Sequence, residues 1–103
     1  MPTIGEVLAE ELAKAGVTRI YGLPGGENVE VLEAMRKQGI AFVLVKNESS
    51  AVYMADVEGR LTGTIGVALT TLGPGATNAF VGVAHAYLER SRVLLITAQT
   101  DPH

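Results

Sequence analysis

Two spacings of apolar residues alternate along the chain and divide it into helical and extended segments. Four segments carry apolar side chains at the three- and four-residue intervals of an amphipathic helix. Helices are predicted over residues 3–15, 27–38, 49–61 and 76–89. A capping box, in which Thr3 and Glu6 satisfy backbone N–H groups, marks the start of the first helix.

The apolar stripes of these helices predict which sides face a core. The stripe of the first helix consists of Ile4, Val7, Leu8, Leu12 and Ala15, and that of the second of Val29, Leu32 and Met35. In the third helix we expect packing through Ala51, Val52 and Ala55. The fourth helix has the most continuous stripe, made of Ala76, Ala79, Phe80, Val83, Ala84 and Tyr87.

Continuous apolar runs lie between the helical segments. Residues 41–45, 65–69 and 93–96 contain no polar side chain, which is typical of strands covered on both faces. A shorter strand is predicted over residues 19–21. Helices and strands alternate, and their short connections favour right-handed crossovers within one sheet. The predicted fold class is α/β, a doubly wound, flavodoxin-like parallel sheet of four strands with flanking helices.

The last predicted strand is followed by only a few residues, so no predicted helix covers that end of the sheet. At 103 residues the chain is one domain or part of one. We therefore expect residues 1–103 to be a truncated domain of a larger fold.

Charge and composition exclude several classes of function. The net charge is -3 and the basic residues are not clustered, so the sequence has no electrostatic footprint for nucleic acid or an anionic membrane. The absence of Cys excludes a thiolate nucleophile and a disulfide framework. Because neither a signal peptide nor a membrane-length apolar run is present, the cytoplasm is the expected location.

In open α/β sheets, ligands bind beyond the carboxyl ends of the strands. Those ends are predicted at residues 22–26, 46–50, 70–78 and 97–101. The first and third contain Pro and Gly turns that lead into helices, where free backbone N–H groups can meet a ligand. The glycine pattern matches neither a P-loop nor a dinucleotide fingerprint, since Asn78 stands where the latter requires a third glycine.

Glu48 follows the second apolar strand and begins a helix. One interpretation is a carboxylate stabilised by the helix dipole, by about 0.3 to 1 kcal/mol. The other is a carboxyl group at the ligand edge of the sheet, kept from bulk water and able to exchange a proton with a ligand. Asn78 has similar alternatives, either a turn residue or a neutral hydrogen-bond partner for a heterocycle.

Four motifs resemble, in order and spacing, the pyrimidine-binding (PYR) domain at the amino end of thiamine-diphosphate enzymes of the acetolactate synthase and 2-oxoacid decarboxylase superfamily. They are residues 21–26 (YGLPGG), 47–56 (NESSAVYMAD), 73–78 (GPGATN) and 95–99 (LITAQ). The chain departs from the family pattern at Asn47, where the family often has His, and at residues 57–60, where it often has Gly-Tyr-Ala-Arg.

The resemblance implies that Glu48 is the catalytic glutamate, which hydrogen-bonds N1′ of the cofactor's aminopyrimidine and so promotes removal of the C2 proton from its thiazolium ring. It also implies that a set of turn residues shapes the pocket around the pyrimidine. That set is Pro24, Gly25, Gly73, Pro74 and Asn78, with Gln99 as a further candidate.

The implied cofactor is thiamine diphosphate, whose diphosphate and Mg²⁺ are held in the family by a separate domain with a Gly-Asp-Gly motif that this sequence lacks. No metal ligand is therefore predicted in this chain. The implied partners are the diphosphate-binding domain of the same or a neighbouring subunit, a homo-oligomer, and a small 2-oxoacid substrate. We expect the chain to be inactive in isolation.

Two alternatives remain open. The chain could be a free-standing PYR-type subunit that completes the active site of a partner. It could also be an unrelated nucleotide-binding domain of flavodoxin-like fold that uses the Gly73 turn for phosphate.

Overall fold

The structure is a computed structural model that describes residues 1–98 of the chain. The helices are α1 (Ile4–Lys14), α2 (Val29–Lys37), α3 (Glu48–Thr62) and α4 (Pro74–Leu88), and a 3₁₀ turn (Gly26–Asn28) precedes α2. The strands are β1 (Arg19–Leu23), β2 (Ala41–Leu44), β3 (Gly66–Thr70) and β4 (Val93–Ile96). The order of elements agrees with the sequence-based prediction.

The four strands form one parallel sheet with the order β2-β1-β3-β4. Tyr21 of β1 lies beside Val43 on one side and Ala68 on the other, which fixes the register of the three strands. One face of the sheet is covered by α1 and α2, and the other by α3 and α4. The predicted fold class, a doubly wound parallel α/β sheet, is confirmed.

Strand β3 is the centre of this architecture, since all five of its residues are buried. The expectation that the other apolar runs are covered equally on both faces was wrong for β2 and β4, whose residues are half-buried or exposed. Leu44, at the end of β2, is 67% exposed. Both strands lie at the edges of the sheet, where each has a neighbouring strand on one side only.

The packing face predicted for α4 is confirmed at Ala79 and Val83, which pack in the core, but was wrong for two aromatic residues. The buried residues of α4 are Gly75, Ala79, Gly82 and Ala86, whereas Phe80 and Tyr87 are 67% and 81% exposed. Small residues face inward because α4 lies against α3 at close range. A Cβ atom at position 82 would come within 2.6 Å of Cβ of Val52, so only glycine permits this approach.

A similar rotation is seen in α1. Its buried residues are Gly5, Ala9 and Leu12, while Ile4 and Val7 face outward. A Cβ atom at Gly5 would lie 3.5 Å from Cα of Val31 in α2, which is ordinary contact distance and shows how near the two helices are. In both helices, small residues that the apolar stripe did not include occupy part of the inward face, while Leu12 of α1 is buried as predicted.

Candidate functional site

The candidate site lies at the carboxyl edge of the sheet, between β1 and β3. Leu23 and Thr70, the last residues of these strands, are neighbours in the sheet. The strand order reverses at this point, because β1 continues through α2 to β2 on one side while β3 lies on the other. Such a reversal leaves a crevice in which α/β proteins bind their ligands.

Glu48 is the first residue of α3 and is half-buried at this edge. The cap of α3 is Asn47, whose side-chain oxygen accepts a hydrogen bond of 2.8 Å from the backbone N–H of Ser49. Capping of this helix therefore does not require the Glu48 carboxylate, although the dipole of α3 still favours a negative charge there.

A direct contact joins Glu48 to the first turn of α4. Nδ2 of Asn78 donates a hydrogen bond of 3.4 Å to Oε1 of Glu48, across 30 positions of sequence. The Ser49 hydroxyl donates to the backbone oxygen of Asn78 and ties the same two helix starts together. The structure thus brings together Glu48 and Asn78, two of the residues that the sequence singled out.

Gly75 lies against the other carboxylate oxygen. A Cβ atom on Gly75 would stand 3.4 Å from Oε2 of Glu48 and would overlap the hydroxyl oxygen of Thr71. The missing side chain leaves a face of the Glu48 carboxylate uncovered. Gly75 was absent from the predicted site residues, because only the fold reveals that it adjoins Glu48.

Gly73 and Pro74 form the start of α4. Gly73 is the cap residue with a φ of 63°, a conformation that favours glycine, and Pro74 occupies the first turn of the helix. No side chain caps this helix. Both residues are exposed beside the segment that carries Gly75, which places them at the rim of the crevice rather than against the carboxylate.

Pro24 and Gly25 belong to the neighbouring loop after β1. The backbone N–H of Gly25 donates a 2.8 Å hydrogen bond to Oδ1 of Asn28, which is only 2% exposed. Oε1 of Glu27 accepts a 3.1 Å hydrogen bond from the backbone N–H of Leu72, so this loop is joined to the loop after β3. A Cβ atom on Gly25 would lie 2.7 Å from Cγ2 of Thr71.

The two loops are held in fixed relation by polar side chains that the sequence did not identify as important. Glu27 and Asn28 directly follow the YGLPGG motif, and a polar pair immediately after a glycine turn is a signal that could have been used. Thr97 adds a 2.9 Å hydrogen bond from its hydroxyl to the backbone oxygen of Thr71. Gln99 lies outside the described residues.

Within residues 1–98, no cluster of three or more His, Cys, Asp or Glu side chains is arranged to hold a metal ion.

Among the described helices, none combines the length and the apolar character that crossing a membrane requires.

Comparison with known proteins identifies one matching family and several similar proteins. The family described as "Thiamine pyrophosphate enzyme, N-terminal TPP binding domain" matches residues 2–103. The chain is 41% identical over 95 residues to the acetolactate synthase isozyme 3 large subunit of Escherichia coli (strain K12), which covers 91% of the chain and 17% of the relative. It is 44% identical over 92 residues to 2-hydroxyacyl-CoA lyase 2 of Danio rerio, covering 89% and 15%.

The acetolactate synthase large subunit of Lactococcus lactis subsp. lactis (strain IL1403) is 37% identical over 103 residues, covering 98% of the chain and 18% of the relative. The chain therefore spans less than a fifth of the length of these three curated relatives.

Proposed function

The chain belongs to the family of N-terminal TPP-binding domains of thiamine pyrophosphate enzymes, and we propose that it contributes the pyrimidine-binding half of the cofactor site in a longer enzyme. The observation that carries this proposal is the placement of Glu48 at the strand reversal, in contact with Asn78 and beside Gly75. We further propose that the enzyme acts on a small 2-oxoacid, by acetolactate synthase-like C–C bond formation or by decarboxylation.

The residues at this edge fit an aminopyrimidine ring. A ring nitrogen needs a carboxyl group that can share a proton with it, and Glu48 offers Oε2 at the face left free by Gly75. The side chain that hydrogen-bonds this carboxylate is a neutral one, the Asn78 amide. Pro24, Gly25, Gly73 and Pro74 would form the walls of the pocket around the ring.

Glu48 would hold a proton between its Oε2 atom and the ring nitrogen. Asn78 would orient the carboxyl group, because its amide donates to Oε1 and leaves Oε2 for the ligand. The hydrogen bond between Glu27 and Leu72 would keep the two loops from separating when a ring enters. When bound, thiamine diphosphate supplies the carbon nucleophile that attacks the carbonyl group of the substrate.

The remaining half of the site would come from outside these residues. We assign Mg²⁺ and the diphosphate to a diphosphate-binding domain of the same or a neighbouring subunit, in a cytoplasmic homo-oligomer. The length of the relatives supports this division, since the aligned segments cover only 15–18% of them. On this proposal residues 1–103 are a partial PYR domain that is inactive alone and binds free cofactor weakly.

Turnover of a 2-oxoacid by the longer enzyme tests the role of Glu48. Glu48→Gln should lower kcat by roughly 100-fold to 10,000-fold, the range typical for loss of an acid–base group, because an amide cannot share a proton with the ring nitrogen. Glu30→Gln, on an exposed carboxylate of α2, is the matched control and should leave turnover unchanged. Equal activity of the two variants would remove Glu48 from this role.

Reading the gene beyond His103 separates a multidomain enzyme from a free-standing subunit. The multidomain proposal expects a middle domain followed by a Gly-Asp-Gly motif. A stop codon directly after His103, with the motif encoded by a neighbouring gene, would instead favour a subunit that completes a partner's site.

A further inference from the structure

An arginine-rich groove lies at the opposite end of the sheet from Glu48. The groove has a volume of about 430 Å³ and is lined by Arg60, Arg90, Arg92, Ser91 and Glu89, together with backbone at Gly59 and Gly63. It is formed where α3 and α4 end and where β4 begins. The volume lies in the range of pockets that take small molecules.

One guanidinium in this groove is held in place. Nε of Arg60 donates a 2.9 Å hydrogen bond to Oδ1 of Asp56, a carboxylate that is only 4% exposed, and Nη2 donates a 3.0 Å hydrogen bond to the Ser91 hydroxyl. Glu89 Oε2 is 3.7 Å from the same Nη2. Arg60, whose side chain is 47% exposed, is therefore held in place along the groove by contacts on α3 and on the loop before β4.

The other two guanidiniums give the groove its charge. Arg90 and Arg92 are exposed, and neither forms an ion pair within residues 1–98. The groove lining carries three arginines and Glu89, and the buried Asp56 pairs with Arg60, so positive charges exceed negative ones locally on a chain whose net charge is -3. Such a local excess attracts anions, and guanidinium groups pair with phosphate through two parallel hydrogen bonds.

Arg90 has a backbone conformation that is unusual for a residue other than glycine. Its φ of 56° is the left-handed conformation, and the N–H groups of Arg90 and Ser91 donate to the carbonyls of Tyr87 and Ala86, which is a Schellman motif at the end of α4. Glycine is the preferred residue at this position of the motif. Arginine adopts that conformation at a conformational cost.

The other helix ends of the chain follow the glycine rule. Gly16, Gly39 and Gly63 all have positive φ, from 76° to 91°, directly after or near the ends of α1, α2 and α3. Arg90 is the one non-glycine residue with positive φ among the described residues. The stability of the helix end does not explain an arginine at this position, in the lining of a groove with two other arginines.

We propose that this groove binds the phosphate group of a small anionic molecule. Arg90 and Arg92 would pair with the phosphate, beside Arg60, which is already held in place. The site is separate from the crevice around Glu48, because it lies at the amino edge of β3 and β4 rather than at their carboxyl edge. The proposal does not depend on the function assigned to Glu48.

The site can be tested by titrating the full 103-residue chain with inorganic phosphate at constant ionic strength. Binding is monitored through the NMR chemical shifts of the backbone amides. Saturable shifts confined to residues 59–63 and 89–92, with a dissociation constant of roughly millimolar or below, are expected. Shifts that are confined to the start of α4, that do not saturate, or that chloride reproduces would overturn the proposal.

Variants of the arginines sharpen this test. Arg92→Gln and Arg90→Gly should each weaken phosphate binding by about ten-fold, the effect of losing one charge-assisted pair. Arg36→Gln, an exposed arginine of α2 on the other face of the sheet, should bind phosphate like the parent chain. Unchanged affinity in both groove variants would show that the groove is not the site.

Arg90→Gly also separates a binding role from a structural one. Glycine relieves the left-handed backbone, so the melting temperature should rise while phosphate affinity falls. A rise in melting temperature without loss of affinity would contradict the proposal. Repeating the titration with glycerol 3-phosphate distinguishes the source of the phosphate. Tighter binding of glycerol 3-phosphate than of inorganic phosphate would assign the ligand to the organic phosphate esters. Equal binding of the two would show that the groove recognises the phosphate group itself.

Discussion

At the scale of single residues, the sequence predicted a site residue where a side chain with suitable chemistry stands at the end of a predicted strand. Glu48 was singled out because a carboxylate directly after an apolar strand and before a helix is at the ligand edge of an α/β sheet, and the family resemblance then implied its catalytic role. Its contact with Asn78 and its proximity to Gly75 depend on how α3 and α4 meet, across 30 residues of sequence for the first pair. A linear pattern carries no information about such a distance.

Asp56 is a second residue whose importance appears only in the folded chain. It is buried between Arg60, at 2.9 Å from Oδ1, and His85, whose Nε2 is 3.5 Å from Oδ2. Burial acts to raise the pKa of Asp56, but hydrogen bonds from Ser91 and Arg60 and the charges of Arg60 and His85 outweigh it. The pKa of the carboxyl group is therefore held below its ordinary value of 3.8.

This shift predicts how stability depends on pH. The folded pKa is lower than the unfolded one, so the contribution of Asp56 is fully present above about 3.8 and is lost as the pH falls through the folded pKa. Asp56→Asn should lower the free energy of unfolding at neutral pH by about 1.5–3 kcal/mol, since hydrogen bonds to a charged group are lost. Urea unfolding between roughly pH 2 and 7 measures both effects.

The difference in stability between parent and Asp56→Asn should narrow at the acid end of that range. Glu10→Gln, on an exposed carboxylate of α1 paired with Lys14, is a suitable control and should follow the parent curve closely. A constant difference at every pH would show that the charge of Asp56 does not contribute.

At the scale of elements, the sequence predicted the kind and order of helices and strands but not the faces by which the helices pack. Apolar periodicity assigned Phe80 and Tyr87 to the buried side of α4, whereas Gly75, Ala79, Gly82 and Ala86 are the residues that are buried. A pattern of apolar side chains correctly included Ala79 but leaves glycine out. Close contact between α3 and α4 requires small residues at the interface instead. This requirement can be recognised only when the positions of both helices are known.

The packing of α4 can be tested with two substitutions in the full chain. Phe80→Ala should change the free energy of unfolding by only about 0.5 kcal/mol, because the ring is 67% exposed. Gly82→Ala, a much smaller change, should cost about 1–3 kcal/mol, because the new Cβ would lie 2.6 Å from Cβ of Val52. Thermal and urea unfolding of both variants provide the comparison.

Adding Val52→Ala to Gly82→Ala tests whether the clash with Val52 causes the loss of stability. Val52→Ala keeps Cβ of Val52 but removes Cγ1, which would lie 3.0 Å from the new Cβ, so the effects of the pair should be less than additive. A large cost for Phe80→Ala with a negligible cost for Gly82→Ala would restore the face that periodicity predicted and contradict the observed packing.

At the scale of the whole molecule, the prediction of the fold class and of family membership is confirmed. Motif order made this possible, since four short segments at fixed spacing define both the strand ends and the family. The exposure of the outer strands was not predicted, because a continuous apolar run does not reveal whether its strand lies inside a sheet or at an edge. That position depends on strand order, which here is β2-β1-β3-β4.

The described surface also carries several large apolar side chains. The exposed positions on α4 include Phe80, Val81, Tyr87 and Leu88. Strand β4 forms an edge of the sheet, and its residues are only half-buried. Unpaired strand edges and apolar patches favour association. Sedimentation of the full chain should therefore show oligomers whose proportion rises with concentration.

Replacing Phe80 and Tyr87 by Ser should shift that equilibrium toward the monomer, whereas Glu30→Gln, on the other face of the sheet, should not. A strictly monomeric parent chain at high concentration would show that these surfaces do not self-associate.

The central claim is that Glu48 shares a proton with the aminopyrimidine of thiamine diphosphate. Its most direct test is the rate at which the C2 proton of bound cofactor exchanges with deuterium in the longer enzyme, measured by acid quench and proton NMR for the parent and Glu48→Gln. We predict that exchange is nearly abolished in the variant while the cofactor remains bound, because the glutamine amide cannot take part in proton transfer at the ring nitrogen. Near-normal exchange in Glu48→Gln would contradict the account.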